Sequence, residues 1–213
     1  MQKYDQALHY EIFQKEEYLP CKSAIQQADV IFDIGGHLGF FSEWCRQQGS
    51  QAEVHYFEPV PFLYETAKKN LNSDPKIIFH NYGIGSIDEE ITFFVNSKKS
   101  MQSSKYPSFL NLAGEEVKVQ MKSLETFILN LESGVSNLLV KLDIEGMEYE
   151  VLESRTDFIR DQISFLVMEI HFLQPDDEQR RDKLKKEIKS RFSTFQEFPS
   201  QYDERIRLVY AEK

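Results

Sequence analysis

The segment whose residue types and spacing bear most directly on chemistry is Asp33-Ile34-Gly35-Gly36-His37-Leu38-Gly39. It follows a short β-rich run, Asp29–Ile34, and opens a helical apolar spacing from Leu38 to Gln48 through Phe41, Trp44 and Cys45. Glycine lets the backbone turn sharply and lets a ligand approach it closely. A helix N-terminus adds free N–H groups and a partial positive charge. Glu58 and Pro59 end a second run, Glu53–Phe57, at the distance downstream where dinucleotide folds place a ribose-binding acid. A carboxylate there accepts from both ribose hydroxyls. Strand, glycines, helix and acid together favour a nucleoside site over a simple turn with a surface glutamate. Phe40 and His37 flank the loop, and Asn81, Tyr82 and Gly83, after a third run at Lys76–Tyr82, are placed for the adenine edge.

A pyrophosphate loop reads G-x-G-x-x-G, whereas here an acid, Asp33, precedes the glycines. That acid repels a pyrophosphate and suits the ammonium of a methionine moiety, directly or through water. S-adenosylmethionine is therefore favoured over NAD. The competing readings are an NAD-linked Rossmann enzyme and a non-catalytic, nucleoside-binding scaffold.

A second group lies further along. Asp143 ends the run Asn137–Asp143, with Lys141 two residues before it on the same face. Glu169 and His171 close the run Ile163–Ile170 and share one side if the strand continues. For proton removal from a hydroxyl, His171 is the expected general base, because an ordinary imidazole titrates near neutrality; Glu169 or Asp143 would orient it. A divalent ion on Asp143, Glu169 and His171 is possible but not favoured. Glu145 and Glu148 could equally be acids of a helix first turn.

The elements that must position these residues alternate. Runs at Asp29–Ile34, Glu53–Phe57, Lys76–Tyr82, Asn137–Asp143 and Ile163–Ile170 are interleaved with helical stretches at Pro61–Leu71, Met147–Glu153 and Asp177–Lys189. Such alternation predicts right-handed βαβ units and a doubly wound α/β fold with a mostly parallel sheet, whose ligands lie outside the strands' carboxyl ends. Ile91–Val95 and Glu116–Gln120 read as a strand pair, an insertion at about 90–121. Ser123 reads as the N-cap of a helix over Leu124–Leu131. The polar loop Asn96–Gly114, with Tyr106, Phe109 and Leu110, is a candidate lid. Residues 1–28 form an N-terminal helical cap, and Arg205–Ala211 supplies the last strand or two.

Composition narrows the class. At 41% hydrophobic and 13% aromatic the chain is globular, and 213 residues suit one domain with a sizeable core. A net charge of −10 argues against a broad nucleic-acid surface. Two cysteines, Cys21 and Cys45, form no metal-ligand spacing and fit a reducing compartment. Nothing resembles a secretory leader, and no stretch approaches the roughly 20 apolar residues of a membrane span. The expectation is a cytoplasmic protein of undetermined oligomeric state.

The chain resembles the FkbM family of S-adenosylmethionine-dependent methyltransferases through VIFDIGGHLGFFS (Val30–Ser42), YFEPVPFLYETAKKN (Tyr56–Asn70), HNYGIGS (His80–Ser86), VKVQMKSLETFI (Val117–Ile128), LLVKLDIEGMEYEVL (Leu138–Leu152) and FLVMEIH (Phe165–His171). The most specific is K-x-D-x-E-G-x-E at Lys141–Glu148. The resemblance implies a seven-stranded class I methyltransferase sheet and methyl transfer to oxygen, commonly a hydroxyl of a sugar or a polyketide-type metabolite. It also implies that Asp33, Gly35, Gly39 and Glu58 hold the cofactor. The chain departs from the family at Gly36 and His37, where alanine and asparagine are usual, and at Leu124-Glu125, where Leu-Asp is usual.

Overall fold

Val30–Ile34 forms β1 and Leu138–Leu142 forms β8, and every residue of both is buried. Strands covered on both faces belong in the middle of a parallel sheet. In the computed structural model, which describes residues 3–95, 103–106, 115–131, 135–153, 161–173, 177–200, 203 and 205–213, these two strands are neighbours. Around them lie β2 (Glu53–Phe57), β3 (Ile77–His80), β9 (Phe165–His171), β10 (Thr194–Pro199) and β11 (Ile206–Glu212). The seven-stranded order is β10-β11-β9-β8-β1-β2-β3. Parallel pairing joins β3, β2, β1, β8 and β9, whereas β11 runs antiparallel to both β9 and β10. The chain builds outward from β1 to β3 and then restarts on the other side at β8. The carboxyl ends of β1 and β8 therefore flank the reversal of strand order.

The pleat sorts the core into two layers. Val30, Phe32 and Ile34 face one, with Val140, Tyr149 and Met168; Ile31 faces the other, with Trp44, Tyr56 and Leu63. Asp33 shares Ile31's side, so the acid points into the layer holding α3 (Phe40–Gln47) and α4 (Pro61–Leu71). Ahead of β1 come α1 (Lys3–Phe13), a single 3-10 turn (Leu19–Cys21) and α2 (Lys22–Gln27). Phe13 and His9 of α1 meet Phe40 edge to face, with ring centroids 6.2 and 5.4 Å apart. After α4 the chain reaches a second, four-stranded sheet of β4 (Gly83–Gly85), β7 (Glu115–Ser123), β5 (Glu89–Val95) and β6 (Ser103–Ser104). There β5 and β7 pair antiparallel. Among the described residues follow α5 (Leu124–Leu129), α6 (Glu148–Glu153) and α7 (Asp177–Arg191). Among the described residues no helix is long and apolar enough to cross a membrane.

Two local expectations change. The third strand stops at His80, and Gly83–Gly85 joins the other sheet, because Asn81 turns away to donate to the Glu58 carbonyl at 2.9 Å. Gly83 packs so closely on Met121 that a Cβ there would stand 2.6 Å from its sulfur. Ser123 does precede α5, but its hydroxyl makes no capping bond; its N–H donates instead to Asp88 at 2.9 Å. Of the loop Asn96–Gly114, only Ser103–Tyr106 lie within the described residues, so Phe109, Leu110 and the lid reading lie outside them. Ser104 donates to the Glu145 carbonyl at 2.8 Å, and Tyr106 donates to Glu150 at 2.8 Å.

Gly35 has φ +76°, and a Cβ on it would lie 1.8 Å from the Asp143 carbonyl oxygen. Both the left-handed backbone and the contact with neighbouring backbone demand glycine. Gly35→Ala is expected to cost about 3 kcal/mol or more, a fall in Tm of roughly 6–12 °C by thermal denaturation. A variant melting with the parent would remove this reading of the β1–β8 approach.

Candidate active site

Asp33 and Lys141 are register partners on β1 and β8, and both are buried. Lys141 Nζ lies 3.3 Å from Asp33 Oδ1 and 3.5 Å from Asp143 Oδ2, and it donates to the Gly35 carbonyl at 2.8 Å. The other Asp33 oxygen accepts the Ser42 hydroxyl of α3 at 2.6 Å. Burial disfavours the Lys141 charge, but Asp33 and Asp143 outweigh it and hold the ammonium well above its usual range. One cation thus ties the first strand, the glycine turn and the fourth parallel strand together.

The glycine turn is closed from the other side by β2. Gly35 and Gly36 both donate to the Phe57 carbonyl, at 3.1 and 2.9 Å. Gly36 lies against Tyr56, whose ring a Cβ would strike at 2.1 Å, and Gly39 enters α3 at φ +85° over Leu71. The Tyr56 hydroxyl donates to the His37 carbonyl at 2.5 Å. Glu58, 4% exposed, accepts from the His37 N–H at 3.0 Å and the Val60 N–H at 2.8 Å, one per oxygen. Burial raises its carboxyl to about 7 against those two bonds. Each oxygen keeps a second lone pair, the acceptor pattern that vicinal hydroxyls require. Beyond it, Tyr82 stacks on Phe127 at 5.6 Å, and its hydroxyl lies 3.0 Å from His80 Nδ1.

Across β1, the carboxyl ends of β8 and β9 hold a cluster of acids around one histidine. His171 is 2% exposed. Its Nδ1 lies 2.9 Å from Glu148 Oε1, and its Nε2 lies 3.5 Å from Glu145 Oε2 and 4.0 Å from Asp143 Oδ1. The bend comes from Glu145 at φ 54° and Gly146 at φ 98°. Glu148, wholly buried, holds that bend by accepting from the Ile144 and Gly146 N–H groups at 3.0 and 3.1 Å. Burial opposes a charge on His171, yet Glu148, Glu145 and Asp143 hold the imidazole protonated well above its usual range. Burial raises Glu145 to about 8, with His171 opposing the rise. Glu169 is pushed up by burial and then by Asp143 and Glu17; its Oε1 accepts the Tyr18 hydroxyl at 2.8 Å.

The structure thus brings Gly35, Gly36, His37, Gly39, Glu58, Pro59 and Asn81 to one side of the strand reversal, and Asp143, Glu169 and His171 to the other. The surroundings of several expected site residues are as follows. Phe40 is buried under α1 against His9 and Phe13. Asp33 is fully buried: its Oδ2 accepts the Ser42 hydroxyl, and its Oδ1 pairs with Lys141 at 3.3 Å without a hydrogen bond. His171 rests as a cation rather than titrating near neutrality, and Glu148 rather than Glu169 or Asp143 orients it, because Glu169 is engaged by Tyr18. The atoms close enough to share an ion are those of Asp143, Glu145 and His171, with Glu145 in place of Glu169. Glu145 and Glu148 were legible as acids near the site or equally as acids of a helix first turn, and nothing in the spacing announced Glu17 or Tyr18.

The sequence model described as the methyltransferase FkbM domain matches residues 33–205. The chain is 27% identical over 158 residues to Methyltransferase 1 of Beauveria bassiana, covering 66% of this chain and 64% of that one. It is 26% identical over 154 residues to the hexuronic acid methyltransferase AglP of Haloferax volcanii, covering 68% and 57%. It is 25% identical over 202 residues to the 31-O-demethyl-FK506 methyltransferase FkbM of Streptomyces tacrolimicus, covering 78% and 74%. The match therefore spans less than two thirds of the first two relatives. Among solved structures, WbdD superposes with a TM-score of 0.54 at 12% identity, over 100% of this chain and 44% of that one. A Clostridium thermocellum protein provisionally named an rRNA methylase gives 0.53 at 12%, over 95% of each. At these identities the likeness is one of fold: a Rossmann-like α/β sheet.

The buried acids set a pH dependence. In the folded chain Glu17 and Glu58 titrate at about 7 and Glu145 at about 8, against 4.5 when unfolded, and His171 keeps its proton above 6.5. The folded state therefore binds more protons between pH 6 and 8.5, and stability falls as pH rises through that window. The Tm of the ligand-free protein is expected to be about 5 °C or more lower at pH 8.5 than at pH 6. A flat or rising Tm over that interval contradicts the assigned charge states.

Proposed function

We propose, from the premise that the chain belongs to the FkbM methyltransferase domain family, that it transfers the methyl group of S-adenosylmethionine to a hydroxyl oxygen of a sugar or small-molecule metabolite. The observation that carries this reading is the pairing, across β1, of a glycine turn closed by Glu58 with the carboxylate–histidine cluster of β8 and β9. Relatives named for hexuronic acid and for a 31-O-demethyl compound support an oxygenated acceptor. A net charge of −10 argues against a nucleic-acid acceptor, and a cytoplasmic location belongs to the same proposal.

When bound, S-adenosylmethionine supplies an electrophilic methyl group on a sulfonium. Glu58 would accept the ribose hydroxyls through its free lone pairs, and the Gly35–Gly36 turn would let the nucleoside lie against backbone. Asn81, Tyr82 and Gly83 would border the adenine. Asp33 acts at one remove, by holding Lys141 and the start of α3. On the acceptor side the hydroxyl proton has to leave as the O–CH3 bond forms. Glu145 Oε2 lies 3.5 Å from His171 Nε2 and each acts on the other's charge, so the proton goes to that unit, with Asp143 beside it. His171 then keeps the buried carboxylates compensated and receives the proton only after the pair has lost one. The oxygen and imidazole donors of Asp143, Glu145 and His171 also fit a divalent ion, the second reading. Chelator inactivation reversed by magnesium or manganese would favour it.

Saturation with S-adenosylhomocysteine at about 100 times Kd should add roughly 2.7 kcal/mol, a Tm rise of about 5–10 °C. Binding of NAD but of neither sulfur nucleoside would sink the proposal in favour of the NAD-linked alternative. His171→Ala should lower kcat about 100-fold or more while leaving the S-adenosylhomocysteine Kd within about threefold. In the parent enzyme kcat should climb with pH to a plateau above about 8, the range to which Glu145 is raised. A pH-independent kcat limited by the chemical step would remove the pair from the proton's route.

A further inference from the structure

The turn that carries Glu145 is weak in its own closing bond, with the Met147 N–H reaching the Ile144 carbonyl at 3.4 Å. Both central residues, Glu145 and Gly146, have positive φ. A residue with a side chain keeps that conformation only where its surroundings fix it. Here they act on the single peptide between Glu145 and Gly146. Its N–H, on Gly146, donates to Glu148 Oε2 at 3.1 Å, and its carbonyl, on Glu145, accepts the Ser104 hydroxyl at 2.8 Å. A planar trans peptide points these two groups in opposite directions, so a bond at each end stops the plane from rotating. The Glu148 bond comes from within the same turn, whereas Ser104 comes from β6, 41 residues earlier. Ser104 is 1% exposed, and its oxygen accepts the Tyr106 N–H at 3.2 Å. That leaves the hydroxyl proton for the Glu145 carbonyl.

The strand that supplies this serine is anchored on both sides of it. Ser103 and Ser104 pair with Val95 and Phe94 of β5 in the second sheet. Just beyond, Lys105 pairs with Glu150 of α6 and Tyr106 donates to the same carboxylate. The Tyr106 ring lies over the turn, 3.3 Å from where a Cβ on Gly146 would stand. We propose that Ser104 is a positioning residue for the proton-accepting pair: by clamping the Glu145–Gly146 peptide it holds the Glu145 carboxylate against His171, and so gives the inserted four-stranded sheet a part in proton transfer. Its part in turnover rests on the methyl-transfer reading above. The backbone torsions at Glu145 set the direction in which its side chain departs, and the carboxylate stands 3.5 Å from His171 Nε2. Rotation of the peptide would redirect the side chain and lengthen that approach. Glu148 cannot replace the serine. Its oxygens already take the Ile144 and Gly146 N–H groups and lie against His171 Nδ1, and a carbonyl requires a donor, which a carboxylate is not. Ser104 acts only through Glu145.

The test reads the His171 ring directly, in the full ligand-free chain, by proton–nitrogen correlation NMR of the imidazole; the signal lost in His171→Ala assigns it. Glu145→Gln is expected to displace the Nε2 resonance, and Ser104→Ala to displace it in the same direction by at least about half as much. Ser104→Ala added to Glu145→Gln should displace it no further, because the serine then has no carboxylate to position. A merely structural serine would lower Tm alike in both backgrounds and leave the ring unmoved. With labelled S-adenosylmethionine and methyl glucoside as acceptor, Ser104→Ala should lower kcat about tenfold, while the acceptor KM and the S-adenosylhomocysteine Kd stay within about twofold. A ring unmoved in either single variant, or displaced as much again in the double variant, overturns the proposal. So does an unchanged kcat in Ser104→Ala. Label absent from the sugar in the parent enzyme, with S-adenosylhomocysteine still bound, counts against the sugar-hydroxyl reading alone, since the ring resonance decides the role of the serine either way.

Discussion

Lys141 is a full cation with 4% of its side chain exposed, placed between two acids and a glycine carbonyl. Desolvating an ammonium and a carboxylate costs several kcal/mol each, recovered only where geometry is close and the remaining valences are satisfied. Here this is met in part: Asp33 Oδ2 has Ser42 and Lys141 has a third partner in Gly35, whereas Asp33 Oδ1 meets Lys141 as an ion pair without a hydrogen bond. Loss of either partner would leave a charge stranded in the core, a deficit of about 3–5 kcal/mol. The pair also does geometric work. Asp33 and Lys141 stand opposite each other in the β1–β8 register, so the ion pair sets the two strand ends level. Gly35 then meets the Asp143 backbone at a distance only a glycine tolerates.

From that fixed point the two halves of the site diverge in character. On the β2 side, backbone donors meet a single acid, and Glu58 is held by peptide N–H groups rather than by a cation. On the β9 side, acids outnumber cations, and the cluster holds together by sharing protons: His171 stays charged, and Glu145 and Glu169 are raised. A core selected for stability alone would replace such a group with apolar side chains of similar volume, since buried charges seldom improve on good packing. Retaining several at one sheet end is the pattern of a site whose work is moving a proton.

Legibility in the sequence followed locality. The strand–glycine–helix order, Glu58 at the end of β2 and the parallel sheet are encoded by spacing within a few tens of residues, and the strands fall within a few residues of their expected ends. The third strand was overextended because the turn at Asn81 depends on the Glu58 carbonyl, a contact across 23 residues that no periodicity records. Phe40 looked like a ligand contact because it adjoins the glycine loop, but a helix 27 residues earlier covers it. The sequence reads Asp33 as an acid suited to an ammonium, and spacing could not show that Lys141, 108 residues later, pairs with it. His171 was assigned a neutral role from its unperturbed chemistry. Its protonation depends on Glu148 and Glu145, 23 and 26 residues back, and on how deeply all three are buried.

The partners that sequence could not pair are those that make the two sides of the site answer to each other. Asp143 pairs with Lys141 on the proposed cofactor side and faces His171 on the proposed acceptor side, so its charge enters both balances. Lys141, by holding Asp143, limits how far Asp143 can compensate His171, and it leaves that task to Glu145 and Glu148. Glu169 takes a neutral donor from Tyr18. The N-terminal segment thus meets the sheet at Glu169, through the Tyr18 hydroxyl. Docking of that segment and charge balance at the acceptor site are consequently a single problem, solved at the carboxyl end of β9.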